Sequence, residues 1–191
     1  NVLSVVADKC LHQLLDSGLD YDRALSAGTL LTEAYLEMIE GQYLDLQFEG
    51  RHDIAMSDYL NMISRKTGAL IRCSLNLGAV VGAREPGVGD AFKESGRAMG
   101  YVFQIIDDVL GVWGDEETTG KPVGADIRRK KNSYPVVYAM EMADQNDRQM
   151  LNEIYEKNEL DDADVESVLA VMDRLNVKNH AQREAEKYAD V

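Results

Sequence analysis

Only three prolines, at positions 86, 122 and 135, punctuate the 191 residues, and no stretch alternates apolar with polar residues over a strand-like length between turn formers. Apolar residues recur instead at steps of three and four, so the chain is expected to be all-α. Val2 to Leu15 carries Leu3, Val6, Ala7, Cys10, Leu11 and Leu14 on one side and is closed by Asp16-Ser17-Gly18. A second helix is expected from about Asp22 to Phe48, where Leu31, Ala34, Tyr35, Met38, Gln42 and Asp45 share a stripe, so two polar residues continue an apolar face. A third starts near Ser57, with Ser57 or Asp58 as N-cap, and bears Tyr59, Ile63, Lys66, Thr67, Leu70 and Ser74 along one side. Glycines and Pro86 should end it between Gly82 and Gly89.

From Asp90 to Trp113 the helical period returns, with Phe92, Met99, Val102 or Phe103, and Ile106 expected to form the buried side. The opposite side holds Gln104, Asp107, Asp108, Gly111 and Asp115. A polar loop over 114–133 follows, then helices from Tyr134 to Asp144 and from Asp147 to Lys157. A last amphipathic helix over 163–189 should bury Val165, Val168, Leu169, Met172 and Leu175. The length favours a single domain over residues 1–191.

Composition narrows the partners. A net charge of −14 argues against nucleic acid, whose phosphates need a basic face, and is compatible with divalent cations that recruit an anionic substrate. No apolar run has the length of a membrane span, and Cys10 and Cys73 lack the spacing of a disulfide framework or a zinc site, so a cytoplasmic protein is expected. The three histidines, His12, His52 and His180, are scattered and read as surface residues.

The chemistry-bearing residues lie between Gln42 and Lys131. Asp107 and Asp108 follow Phe-Gln-Ile-Ile, with Gln104 one turn before them. Adjacent carboxylates repel unless a cation joins them, and Mg²⁺, which takes hard oxygen ligands and is completed by substrate phosphates, suits them. A solvated acidic turn in a chain with 34 acids would look the same. Gly120-Lys121-Pro122-Val123-Gly124 then sets a lysine in a turn, and Asp126-Ile127-Arg128-Arg129-Lys130-Lys131 places a basic run beside the acids. Those cations could meet diphosphate oxygens, or form an ordinary mixed-charge loop. Lys66-Thr67, on a largely apolar helix side, either snorkels to solvent or faces an anion in a cavity. Gln42 and Asp45 pose the same question, with interhelical hydrogen bonds as the plain answer.

Four motifs occur in order: Gly41-Gln42-Tyr43-Leu44-Asp45-Leu46; Met62-Ile63 with Lys66-Thr67-Gly68-Ala69-Leu70; Gly100 to Asp108; and Gly114-Asp115-Glu116 with Thr119-Gly120-Lys121. Together they resemble the trans-isoprenyl diphosphate synthases, most strongly over residues 30–140. The resemblance implies an isoprenoid-synthase-type helical bundle around a central cavity, and a homodimer. It also implies Mg²⁺-dependent head-to-tail condensation of an allylic diphosphate with isopentenyl diphosphate. By motif position, Asp107 and Asp108 look like metal ligands of the second aspartate-rich motif, and Gln104 like a residue lining the cation pocket. Lys66 and Lys121 resemble diphosphate-binding lysines, Thr67 a residue beside the carbocation, and Gln42 and Asp45 a polar pair facing the cavity. Asp126 and Lys131 match a charged pair, with Lys131 a further diphosphate contact.

Two departures shape the expectation. The motif usually reads DDxxD, whereas here it is Asp107-Asp108-Val109-Leu110-Gly111, similar to a form in a bacterial branch of the family. Asp115, one turn beyond Gly111, or a water is expected to take the role of the lost third acid. No first aspartate-rich motif precedes Gln42, and the chain opens at Asn1 in helical pattern, so it is expected to be the C-terminal part of the fold, incomplete at its N-terminus. A non-catalytic subunit of a heteromeric synthase is the alternative. A class I terpene cyclase fits less well, because Asn146-Asp147 is followed by Met150 and Ile154 where its metal triad needs a hydroxyl and an acid.

Overall fold

The structure, a computed structural model, describes residues 2–83, 85, 87–120 and 122–190. Its helices are α1 (Val2–Asp16), α2 (Tyr21–Phe48), α3 (Met56–Ile63), α4 (Ala69–Gly82), α5 (Val88–Trp113), α6 (Glu116–Thr119), α7 (Ala125–Arg128), α8 (Tyr134–Met142), α9 (Gln145–Glu156), α10 (Asp162–Arg174) and α11 (Val177–Ala189). Among the described residues there is no strand, as the helical period required. Asp20 accepts from the Arg23 amide and Asp144 from the Asp147 amide, while Asp161 and Asp164 form a reciprocal capping box, so three starts rest on side-chain acceptors.

The centre of the bundle is built from α2, α4 and α5, joined by a π-helical turn at Ser64–Gly68 between α3 and α4. That turn sits where three backbones nearly touch. A Cβ on Gly41 of α2 would lie 2.2 Å from the Lys66 amide nitrogen, and one on Gly100 of α5 would lie 2.7 Å from the Gly68 Cα. Neither position can carry a side chain without pushing the helices apart.

This packing reverses the expected orientation of α5. Phe92, Met99, Phe103 and Ile106, taken as its buried side, are 44%, 55%, 56% and 37% exposed, while Gly96, Ala98, Gly100, Ile105, Asp108, Val109 and Val112 are buried. Small residues decide the contact, since Gly96 and Gly100 admit the neighbouring backbone and larger side chains could not. The face that carries Asp108 is therefore packed, and the face with the largest apolar residues is open.

Two apolar clusters hold the other helices. One unites Val112, Ile127, Val136, Leu151, Val168 and Met172, and the other Ile54, Tyr59, Ile63, Ile105, Tyr134 and Ala181. On α1, Ala7 and Leu11 pack against the smaller α2–α4 cluster, but Leu3 and Val6 remain exposed. Four further expectations need correction. α3 begins at Met56 with Ala55 before it; the cap is supplied from outside, by Glu141 of α8 accepting from the Met56 amide at 3.1 Å. The 114–133 loop contains the one-turn helices α6 and α7. The helix expected over 163–189 breaks at Asn176, whose left-handed φ of 54° separates α10 from α11. His180 is half-buried, its ring stacked 4.0 Å from that of Tyr138, and His52 meets Tyr155 edge to face.

Candidate active site

Asp108 and Asp107, neighbours in sequence, have opposite surroundings. A step of one residue turns the side chain by roughly 100° on a helix, so packing one buries it and leaves the other in solvent. Asp108 is 1% exposed and Asp107 is exposed. Asp108 Oδ2 accepts from the Tyr59 hydroxyl at 2.6 Å and the Tyr134 amide at 2.8 Å; its Oδ1 accepts from Lys131 Nζ at 2.8 Å and Gln104 Nε2 at 3.0 Å. Four donors from α3, α5, α8 and the segment after α7 fill the acceptor capacity of one carboxylate. Burial first, and then the Asp108 charge, hold the Tyr59 phenol well above its ordinary pKa, so it stays a donor.

Lys131 links this buried acid to Asp126, whose Oδ2 it reaches at 3.2 Å. Burial works against its ammonium, but Asp108 and Asp126 outweigh that effect and raise the Lys131 pKa above the usual lysine value. The lysine is thus a fixed cation at ordinary pH.

On the other side of Asp108, Gln104 accepts from the Thr67 hydroxyl at 2.6 Å through Oε1. Its Nε2 also approaches Asp107 Oδ2 at 3.4 Å. The amide is oriented at both ends, and the π-helical turn is what points Thr67 at α5. The same turn places Lys66 Nζ 2.6 Å from Asp45 Oδ2, which Gln42 Nε2 approaches at 3.3 Å.

A cleft of about 820 Å³ opens beside this network, lined by Asp45, Glu49, Asp107, Leu110, Gly111, Asp126 and the run from Arg129 to Asn132. Asn132 ties that run to the end of α2 by donating to the Phe48 carbonyl at 2.6 Å. Acids and cations thus line the same walls. Asp115 lies past the end of α5, after the extended Gly114, and is not among the lining residues of the cleft. Lys121 lies outside the described residues. No group of three or more His, Cys, Asp or Glu side chains among the described residues is arranged to hold a metal ion by itself.

The sequence pointed to Gln42, Asp45, Lys66, Thr67, Gln104, Asp107, Asp108 and Lys131, and the structure draws these into two hydrogen-bonded clusters. Tyr59 and the Tyr134 amide were not anticipated in the site. A tyrosine on the apolar side of a helix was the available sign, since a buried hydroxyl needs a partner. The backbone amide leaves no trace in sequence.

Comparison with known proteins gives the family and the fold. A family model described as polyprenyl synthetase matches residues 1–172. The chain belongs to the polyprenyl synthetase family. The geranylfarnesyl diphosphate synthase of Aeropyrum pernix is 38% identical over 143 residues, 75% of this chain and 45% of that protein. The short chain isoprenyl diphosphate synthase of Methanocaldococcus jannaschii is 35% identical over 153 residues, 80% of this chain and 46% of its own. Among solved structures, geranylgeranyl pyrophosphate synthetase from Pyrococcus horikoshii superposes with a TM-score of 0.83 at 32% identity, covering 89% of this chain and 51% of that one. The polyprenyl synthetase of Streptomyces coelicolor gives 0.82 at 30% identity, with 93% and 54% covered. The chain spans about half the length of the curated polyprenyl synthetase relatives it matches. The all-α isoprenoid synthase fold expected from the sequence is the one observed.

Proposed function

We propose that this chain carries the diphosphate-handling part of a Mg²⁺-dependent prenyltransferase that condenses an allylic diphosphate with isopentenyl diphosphate, head to tail. The observation that carries the reading is the open face of α5. Met99, Phe103 and Asp107 follow at four-residue steps, so an exposed apolar stripe runs into an exposed carboxylate over about 12 Å of helix axis. A molecule with a hydrocarbon tail and a charged head matches that pattern. Ile106 and Leu110, 37% and 42% exposed, widen the apolar strip.

The donor set fits Mg²⁺. Asp107 and Asp126 offer hard carboxylate oxygens on one cleft, and the lack of a three-residue metal cluster among the described residues suits an ion completed by phosphate oxygens. When bound, such an ion would draw off negative charge from the departing diphosphate. The chain's own cations, Lys66 held by Asp45, Lys131 fixed between Asp108 and Asp126, and Arg129 and Lys130 on the cleft wall, would add to that effect. As the C–O bond breaks and diphosphate leaves, the allylic carbon becomes cationic; the alkene of isopentenyl diphosphate forms the new C–C bond, and the resulting cation gives up a proton to the released diphosphate. The Thr67 hydroxyl donates to Gln104, which fixes the direction of its lone pairs and of the amide dipole; facing the allylic carbon, they would stabilise positive charge as it develops.

A homodimer and a cytoplasmic location belong to the same proposal. Cys10 and Cys73 are free thiols, and no helix among the described residues is long and apolar enough to cross a membrane. The test is product analysis with labelled isopentenyl diphosphate and allylic primers of increasing length, using the full encoded polypeptide. Chain elongation that stops on chelation of Mg²⁺ supports the reading; hydrolysis or cyclisation of the primer without incorporation of label contradicts it.

A further inference from the structure

The third acid of the motif is missing, yet a carboxylate stands almost where its side chain would start. A Cβ built on Gly111 would lie 2.3 Å from Asp126 Oδ2, 2.5 Å from its Cγ and 3.0 Å from its Oδ1, closer than carbon and oxygen atoms approach without a bond. We infer that Asp126 supplies the carboxylate that the sequence lacks at position 111, and that Gly111 is a positioning residue whose bare backbone admits it. The inference rests on the metal-diphosphate reading above and names a residue of that site.

The placement of Asp126 is built rather than incidental. The Gly124 amide donates to the Val112 carbonyl at 2.9 Å, which pins the start of α7 to the end of α5. Ile127 is fully buried in the core, so α7 cannot rotate to withdraw its acid. The Lys131 amide donates to the Asp126 carbonyl at 3.0 Å, and the Lys131 ammonium to its Oδ2 at 3.2 Å. A carboxylate only 6% exposed is therefore held against the α5 backbone by a cation that it shares with Asp108. Gly111 lies four residues after Asp107 and so on the same face of α5, and both line the cleft with Asp126. Asp115, the candidate on sequence grounds, is carried past the helix end by Gly114. The functional spacing lost along one helix is restored across two.

One consequence runs against the motif. Restoring its wording with Gly111→Asp should not improve the site, because the new side chain would displace the acid already there. The test is calorimetric titration of the full encoded polypeptide with Mn²⁺ in the presence of inorganic diphosphate, which requires no prenyl substrate and no turnover, with thermal melting as the folding control. Asp126→Asn and Gly111→Asp should each weaken Mn²⁺ affinity about tenfold or more, and Asp115→Asn should change it by less than about twofold. Wild-type affinity in Asp126→Asn, or a loss in Asp115→Asn, overturns the inference and leaves the prenyltransferase reading standing. Failure of the wild-type protein to bind Mn²⁺ with diphosphate overturns both. Should the single variants melt early, Gly111→Ala combined with Asp126→Ser decides the matter. Removing the clash should recover the melting temperature lost in Gly111→Ala while Mn²⁺ affinity stays low; a folded double variant with full affinity refutes the assignment.

Discussion

At the scale of single residues, Asp108 shows how a buried carboxylate can organise a site. Its charge is met by a phenol, a backbone amide, an ammonium and a carboxamide, so each partner removed leaves the charge less satisfied. Tyr59→Phe should cost about 1.5–3 kcal/mol of stability, and Asp108→Ala more than that, since it strands Lys131 and the Tyr134 amide together. Urea denaturation measures both, and Asp107→Asn, on the exposed neighbour, should leave the midpoint nearly unchanged. The paired acids and Gln104 were legible in the sequence. The difference between Asp107 and Asp108 was not, because it depends on which face of α5 is packed, and that is set by glycines rather than by the large apolar residues. His180 was read as a surface group for the same reason, since its partners Tyr134 and Tyr138 come from α8. Burial lowers its pKa below the usual 6.5, so the folded protein favours the neutral ring. The unfolded chain binds the proton first as pH falls, so the contribution of His180 to stability is present above about pH 6.5 and lost below it. The urea midpoint should fall between neutral and mildly acid pH, and less steeply in His180→Gln.

Among the elements, the π-helical turn at Ser64–Gly68 connects backbone geometry to chemistry. It lets α3 and α4 read as one helical stretch in sequence while offsetting Lys66 toward Asp45 and Thr67 toward Gln104. An extra residue within one turn leaves no mark on a three-and-four periodicity over so short a span, so the continuous helix was the natural expectation. The break at Asn176 was hidden because α11 buries only small residues with Val177, namely Ala181 and Ala185, too weak an apolar signal to show that the buried side has turned away from that of Val165, Val168 and Met172. Gly41 is the position to probe. A methyl group there would meet the Lys66 backbone, and Gly41→Ala should destabilise the protein by about 1–3 kcal/mol and disturb the Lys66 to Asp45 pair. Thermal melting would register the first effect. A weakened affinity for inorganic diphosphate would register the second.

At the scale of the chain, a strong negative background meets a local positive lip. The net charge of −14 over these 191 residues would repel the proposed anionic substrate at a distance, and the run from Arg129 to Lys131 on the cleft wall would offset that locally. Arg129→Gln with Lys130→Gln should raise KM for the allylic diphosphate several-fold and flatten its dependence on salt, with kcat little changed. The all-α architecture was evident from periodicity, and motif order singled out most residues of the candidate site. The orientation of the site was not evident, because the residues expected in the core, Met99, Phe103 and Ile106, instead line an open face leading to Asp107. That face carries the functional claim, and it can be seen directly. The deciding measurement is anomalous diffraction from crystals of the full polypeptide grown with Mn²⁺ and a non-hydrolysable allylic diphosphate analogue. Metal density at Asp107 and Asp126, with the hydrocarbon tail running along Phe103 and Met99, is the predicted result; a diphosphate bound away from this cleft, or a tail pointing away from α5, would contradict it.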